Sequence, residues 1–144
     1  MSKRVVLKGH SGAQYKEAVA EGAITPGHII ELDATTGEAQ KQVSARAPLN
    51  VAIENHWFGG GLNDAYAAGD RVVYQTLQPG AEFQALVGTS AAAIANGALV
   101  MVNTAKPGTV LTATAPELAI GKAMQAVDNS GNATTEVRIR VEVL

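Results

Sequence analysis

The chain has 144 residues, 47% apolar and 17% charged, with a formal net charge of -2 and no cysteine. That is one domain with enough apolar content for a core. The acidic balance argues against nucleic acid as the main partner, and the absence of cysteine removes disulfides, thiolate catalysis and thiolate metal sites. No apolar run approaches the roughly 20 residues of a membrane span, and no leader with a small-residue cleavage site is read, which points to a product made in the cytoplasm.

Residues 1–12 carry Lys3, Arg4 and Lys8 and then the flexible run Gly9-His10-Ser11-Gly12. They read as an extended N-terminal arm, loosely attached to a single β-rich domain spanning 13–144. Val5-Val6-Leu7 inside it is strand-prone, so the arm is suited to pairing with a sheet edge on another chain. An ordinary first strand over 4–8 is the alternative.

Short strands are expected at 28–32, 51–54, 99–103 and 109–114, with Gly, Pro or Asn between them. Residues 71–77 and 82–87 are rich in β-formers and flank Pro79-Gly80, the central pair of a type II turn, so they read as a hairpin. A short helix is conceivable over 90–97, with Ser90 as N-cap. Another fits 116–127, in competition with a strand over 119–126. The C-terminus is the clearest element: Val137, Ile139, Val141 and Val143 alternate with Arg138, Arg140 and Glu142, the period of a strand with one buried face. The whole reads as mainly β, a small barrel with at most one or two short helices.

One local pattern occurs three times: an apolar residue, a tight turn closed by Gly, then a strand. It appears as Ile24-Thr25-Pro26-Gly27-His28, Tyr66-Ala67-Ala68-Gly69-Asp70 and Ile94-Ala95-Asn96-Gly97-Ala98. The spacings differ, so these read as three uses of one turn device, without the fixed period of a solenoid.

Chemistry is hard to find. His10, His28 and His56 are too scattered for a metal site. Ser11 and Ser90 lack a nucleophile-elbow setting, and no two carboxylates are placed for acid–base work. Gly59-Gly60-Gly61 is not followed by the Lys-Ser/Thr of a phosphate loop. The reading is therefore no enzyme, no cofactor and no metal. His56-Trp57-Phe58 sets the only Trp and one of two Phe beside those glycines. Such aromatics serve either as an interface anchor or as a cap on the barrel core. The low charge also favours self-association.

The run Ala20-Glu21-Gly22-Ala23-Ile24-Thr25-Pro26-Gly27-His28-Ile29-Ile30-Glu31-Leu32, then Val51-Ala52-Ile53-Glu54 and Tyr66-Ala67-Ala68-Gly69-Asp70-Arg71-Val72, resembles the head decoration (capsid cement) proteins of tailed bacteriophages. Ala95-Asn96-Gly97-Ala98-Leu99-Val100, Ala119-Ile120-Gly121-Lys122-Ala123 and the C-terminal strand continue the likeness. The resemblance implies a β-barrel or β-tulip domain that forms homotrimers on the exterior of an HK97-like capsid and stabilises it. It implies the major capsid protein as partner, and neither nucleic acid nor membrane. The arm residues Lys3, Arg4, Val5, Val6, Leu7 and Lys8 would add a strand to a capsid sheet, with His56, Trp57 and Phe58 as a further candidate interface. Two alternatives stand beside it. One is a biotinyl-like or ligand-binding barrel, which would display Lys122 at a hairpin tip. The other is another phage structural subunit, from a tail tube or fibre.

Overall fold

The computed structural model describes residues 3–9, 14–44 and 48–144. Eleven strands run in chain order: β1 Val6–Lys8, β2 Lys16–Val19, β3 Ile29–Leu32, β4 Ala39–Lys41, β5 Asn50–Ala52, β6 Arg71–Thr76, β7 Glu82–Val87, β8 Leu99–Asn103, β9 Thr109–Thr112, β10 Gly121–Ala123 and β11 Val137–Val143. Two single 3-10 turns, His56–Phe58 and Pro116–Leu118, are the only helical pieces among the described residues. The protein is mainly β, as its short alternating segments and regular turn signals require.

The strands form two sheets, β1-β7-β11-β10-β8-β9 and β2-β6-β5-β3-β4. A parallel pairing of Val87 with Val110 joins β7 to β9 and closes the first into a barrel, with β1 laid along β7. A parallel bridge from Ala20, just past β2, to Ala39 of β4 closes the second in the same way. Closure removes most of the exposed sheet edge.

The two sheets are two copies of one plan. In the first half, β2 pairs β6, β6 pairs β5, β5 pairs β3, β3 pairs β4, and β4 meets β2 in parallel. In the second, β7 pairs β11, β11 pairs β10, β10 pairs β8, β8 pairs β9, and β9 meets β7 in parallel. Single hydrogen bonds repeat too. Ile53 N–H donates to the Val73 carbonyl at 2.9 Å, and Met124 N–H to the Arg140 carbonyl at 2.8 Å. Asp33 Oδ1 accepts from the amides of Thr35 and Thr36 as Asn103 Oδ1 accepts from those of Ala105 and Lys106. The repeated turn follows from this. Its copies at Gly27 and Gly97 hold the same place in the two halves, so a sequence reading of three uses of one turn device, without a repeat, misses a duplication.

The turn itself is as expected. The amide after each Gly closes a four-residue turn, His28 onto Thr25, Asp70 onto Ala67 and Ala98 onto Ala95. The glycines have φ of 102°, 88° and 83°, values that suit a residue without Cβ. Gly27, Gly69 and Gly97 then donate to the carbonyls of Ala52, Ala20 and Ala123, each at 2.8 Å. Leu77-Gln78-Pro79-Gly80-Ala81 is a fourth copy, with Ala81 bonded back to Gln78 and Gly80 N–H on the Val143 carbonyl at 2.9 Å. The type II turn at Pro79-Gly80 is therefore present, but the hairpin is not. β6 belongs to one barrel and β7 to the other, and the turn carries the chain between them.

The shared core explains why β3, β5 and β6 are apolar on both faces. Ile30, Ala52, Val72 and Tyr74 fill the first barrel with Ile24 and Tyr66. Ile29, Val51, Ile53 and Val73 point the other way, into the main core with Phe83, Val87, Val100, Ile139 and Val141 of the second half. The counterparts of those four outward residues are Leu99, Lys122, Met124 and Arg140, of which only Leu99 is half-buried. The second half thus ends the stack with an outer face that Lys122 and Arg140 make compatible with water, as a terminal repeat requires.

Three further expectations change. Residues 90–97 hold no helix; Ile94 is drawn into a bridge with Val127. Within 116–127 a single 3-10 turn precedes β10, so the competing strand reading holds in part. β2 and β4 were not foreseen, being four and three residues long without clear alternation.

Candidate interaction surface

Residues 3–9 are not a detached arm. Val5 is fully buried in the main core, its N–H donates to Glu54 Oε2 at 3.0 Å and its carbonyl accepts from Gln84 N–H at 2.8 Å. Gln84 Nε2 donates to the Arg4 carbonyl at 2.7 Å. Lys8 Nζ lies 3.0 Å from Glu82 Oε1, while Arg140 holds the other oxygen through Nε at 2.9 Å and through Nη2. Those hydrogen bonds, from Arg140 first and then Lys8, hold the Glu82 carboxyl below the usual carboxylate range. This segment takes the first-strand alternative, with Val5 as the apolar pin. The boundary at residue 12, and His10, lie outside the described residues.

The His56–Phe58 turn faces water. Trp57 is 52% exposed and Phe58 88%, which excludes a cap on the core. Tyr15, 49% exposed, stands edge-on to Trp57 at 5.4 Å between ring centroids, and His56 lies 4.4 Å from Trp57. The repeat explains the position. From Ile53 to Tyr66 the chain takes thirteen residues, where the second half goes from Met124 to Val127 in three. The fold closes without the longer connection, so the aromatics sit on an elaboration of the first half. Exposed aromatics that packing does not require are characteristic of contact surfaces.

The second half carries an elaboration of its own. Val127 to Val137 takes ten residues, against four from Tyr66 to Asp70. The two long connections meet at a groove of about 710 Å³, lined by Leu62 and Asn63 from the first and Thr134, Thr135 and Glu136 from the second. Thr25, His28, Lys41 and Arg138 line it as well.

Two buried contacts set its walls. His28 Nδ1 accepts the Thr25 N–H at 2.9 Å, so Nε2 carries the proton and donates to Glu136 Oε2 at 2.8 Å. Burial alone would raise the Glu136 carboxyl, but the His28 hydrogen bond and the nearby charges of Lys41 and Arg138 bring it below its ordinary value. Arg138 donates to the carbonyls of Pro26 at 2.8 Å and Leu62 at 2.5 Å, and to Asn63 Oδ1 at 3.2 Å; burial lowers its pKa. Both ring nitrogens of His28 are engaged, so neither is open to a metal or to a proton from a substrate. Sequence reading weighed His28 only as one of three scattered histidines and did not pair it with Glu136, because 108 positions separate them. The alternating strand at 137–143 placed Arg138 on the outer face without marking it as a clamp.

Lys122 lies in mid-strand, opposite Leu99 and Glu142, which does not match the hairpin tip of a carrier domain. Among the described residues no three His, Asp or Glu side chains stand close enough to hold a metal ion.

No family model matches the chain, and no curated protein matches it. Among solved structures, the head fiber gp8.5 N base of bacteriophage phi29 superposes with a TM-score of 0.63 at 12% identity, covering 92% of this chain and 94% of that one. At that identity the likeness is one of fold, and it extends over both halves: this chain is built like the base of a phage head fiber.

Proposed function

We propose that the chain is a structural protein of a phage virion, a decoration or cement protein that binds the exterior of an HK97-like head as a homotrimer and stabilises it. The observation that carries the reading is the near full-length fold likeness to a protein of a phage head fiber. The role needs no catalysis, cofactor, nucleic acid or membrane. The protein is made in the host cytoplasm, and its partners are the major capsid protein and itself. Each bound trimer bridges capsid subunits, and many weak contacts then raise the free energy of separating them.

Two surfaces suit the task. Lys3, Arg4 and Lys8 are exposed beside β1. Gln84 N–H bonds the Val5 carbonyl, so the next pair, Val6 opposite Phe83, is of the non-hydrogen-bonded kind. Val6 therefore turns its N–H and C=O outward, where a capsid strand can add. The second surface is the His56–Trp57–Phe58 turn. A fiber subunit is the second reading, favoured by the neighbour being itself a fiber base.

Light scattering on the purified chain, followed by co-sedimentation with heads assembled from the major capsid protein, tests the proposal. A trimer that pellets with expanded heads supports a cement protein. A rod-like oligomer that leaves heads unbound favours the fiber. A monomer that binds neither heads nor itself removes both readings.

A further inference from the structure

We infer that the groove between the two elaborated connections is a binding site for a neutral oligosaccharide. The inference goes beyond the structural role and does not depend on it.

The first argument is placement. The two halves repeat strand for strand, yet the groove is walled by residues that have no counterpart in the other half: Leu62 and Asn63 on one side, Thr134 to Glu136 on the other. Neither connection is needed to close its barrel, and the two converge on one space of about 710 Å³. That lies within the range of small-molecule sites.

The second argument is the state of the polar groups. Glu136 is held at Oε2 by His28, which leaves Oε1 without a hydrogen bond among the described residues. Asn63 is held at Oδ1 by Arg138, which leaves Nδ2 open. Lys41 and Thr25 line the same space, and their side chains make no hydrogen bond among the described residues. Glu136 and Asn63 are each fixed by one internal bond while their second polar atom faces no partner, so little ordering of these two remains to be done on binding.

The third argument is chemical class. The open groups are a carboxylate oxygen, an amide N–H, an ammonium and a hydroxyl, which is a mixture of acceptors and donors. Lys41 and Glu136 are opposite in sign, and the guanidinium donors of Arg138, which keeps its charge, are already committed to the carbonyls of Pro26 and Leu62 and to Asn63. An anion would meet Glu136 and a cation would meet Lys41. An apolar ligand would strand all four polar groups without partners. A polyhydroxyl ligand satisfies each of them, and Leu62 and Leu86 in the lining offer apolar surface for its C–H groups.

The test is a titration of the full chain with neutral oligosaccharides of two to four units, built from glucose, galactose or N-acetylglucosamine, with no capsid present. It is read by amide chemical shifts and by the fluorescence of Trp57, the only tryptophan. At least one sugar should shift the amides of Asn63, Thr135 and Glu136. Asn63→Ala and Lys41→Met should each weaken that sugar at least tenfold, whereas Lys122→Met, on the far outer face, should not. Thr25→Ala serves as a further variant if either of the first two lowers the melting temperature. The inference is overturned if no sugar in the panel shifts those amides, if binding survives Asn63→Ala and Lys41→Met, or if inorganic phosphate or an acidic sugar binds more tightly. Because heads are absent, failure here leaves the capsid reading untouched.

Discussion

Gly27 and Gly97 lie seventy residues apart and do the same work. Each donates its N–H to an alanine carbonyl at 2.8 Å, Ala52 for one and Ala123 for the other, and each alanine returns its own N–H to the residue after the glycine. Their surroundings differ. A Cβ on Gly27 would lie 2.6 Å from Arg138 Nη1 and 2.8 Å from the Gln84 carbonyl, whereas on Gly97 it would meet nothing nearer than Lys122 Cε at 3.8 Å.

Substitution by alanine should separate conformational strain from steric clash. Gly97→Ala should cost about 1–2 kcal/mol, the strain of a left-handed non-glycine residue. Gly27→Ala should cost at least about 2 kcal/mol more, since Arg138 loses its grip on Pro26. Urea unfolding of the two variants measures the difference, and equal losses would show that the Arg138 clamp adds nothing.

Val5 decides whether the N-terminal segment is an arm or a strand. Val5→Ala removes two buried methyl groups from the main core and should destabilise the protein by about 1.5–3 kcal/mol. A freely hanging arm would tolerate the change. Hydrogen exchange of the Gln84 amide, which donates to the Val5 carbonyl, gives a second readout and should quicken in the variant.

Acid should weaken the fold in a defined window. Glu82 and Glu136 both titrate below the ordinary carboxylate value in the folded chain. A depressed folded pKa contributes stability that is fully present above the unfolded value, near 4.5, and is lost as pH falls through the folded one. Stability measured from pH 6 to pH 3 should therefore hold and then decline below about pH 4.5. In Glu136→Gln the decline should be shallower, because one of the carboxylates held below its ordinary value no longer takes up a proton on unfolding. An unchanged slope would mean that the His28 contact does not favour the ionised form.

Phe58 is nearly all in water, so Phe58→Ser should move the unfolding free energy by no more than about 0.5 kcal/mol. The same change should reduce binding to heads or self-association if the turn is a contact, and both are read by sedimentation. Trp57→Ala should cost somewhat more, about 0.5–1.5 kcal/mol, through its lost ring contact with Tyr15.

Tyr66 fixes the end of the long connection from the inside. Its hydroxyl donates to the Ile53 carbonyl at 2.8 Å, and burial pushes its pKa up to about 12. Tyr66→Phe should cost about 1 kcal/mol and leave that carbonyl without its side-chain partner. A neutral result in thermal melts would mean that water replaces the hydroxyl.

Much of this protein is local, and the local part was legible. The alternation of Val137, Ile139, Val141 and Val143 fixes which face of the last strand is buried, because side chains in a strand alternate by geometry. Pro79-Gly80 and the glycines at 27, 69 and 97 fix the turns, because few other residues accept those backbone angles. Which strands those turns join is not local. Pro79-Gly80 has the residues of a hairpin turn, yet β6 and β7 part company there, since each finds a better-matched edge in its own half. Nor could composition say that Val5 is core while Trp57 and Phe58 are surface, all being apolar residues in short segments. The contact between His28 and Glu136 depends on both halves being folded and docked. Turn and strand follow from nearest neighbours along the chain; the pairing order, the duplication and the groove follow from which apolar faces can be buried together, and that only the tertiary structure decides.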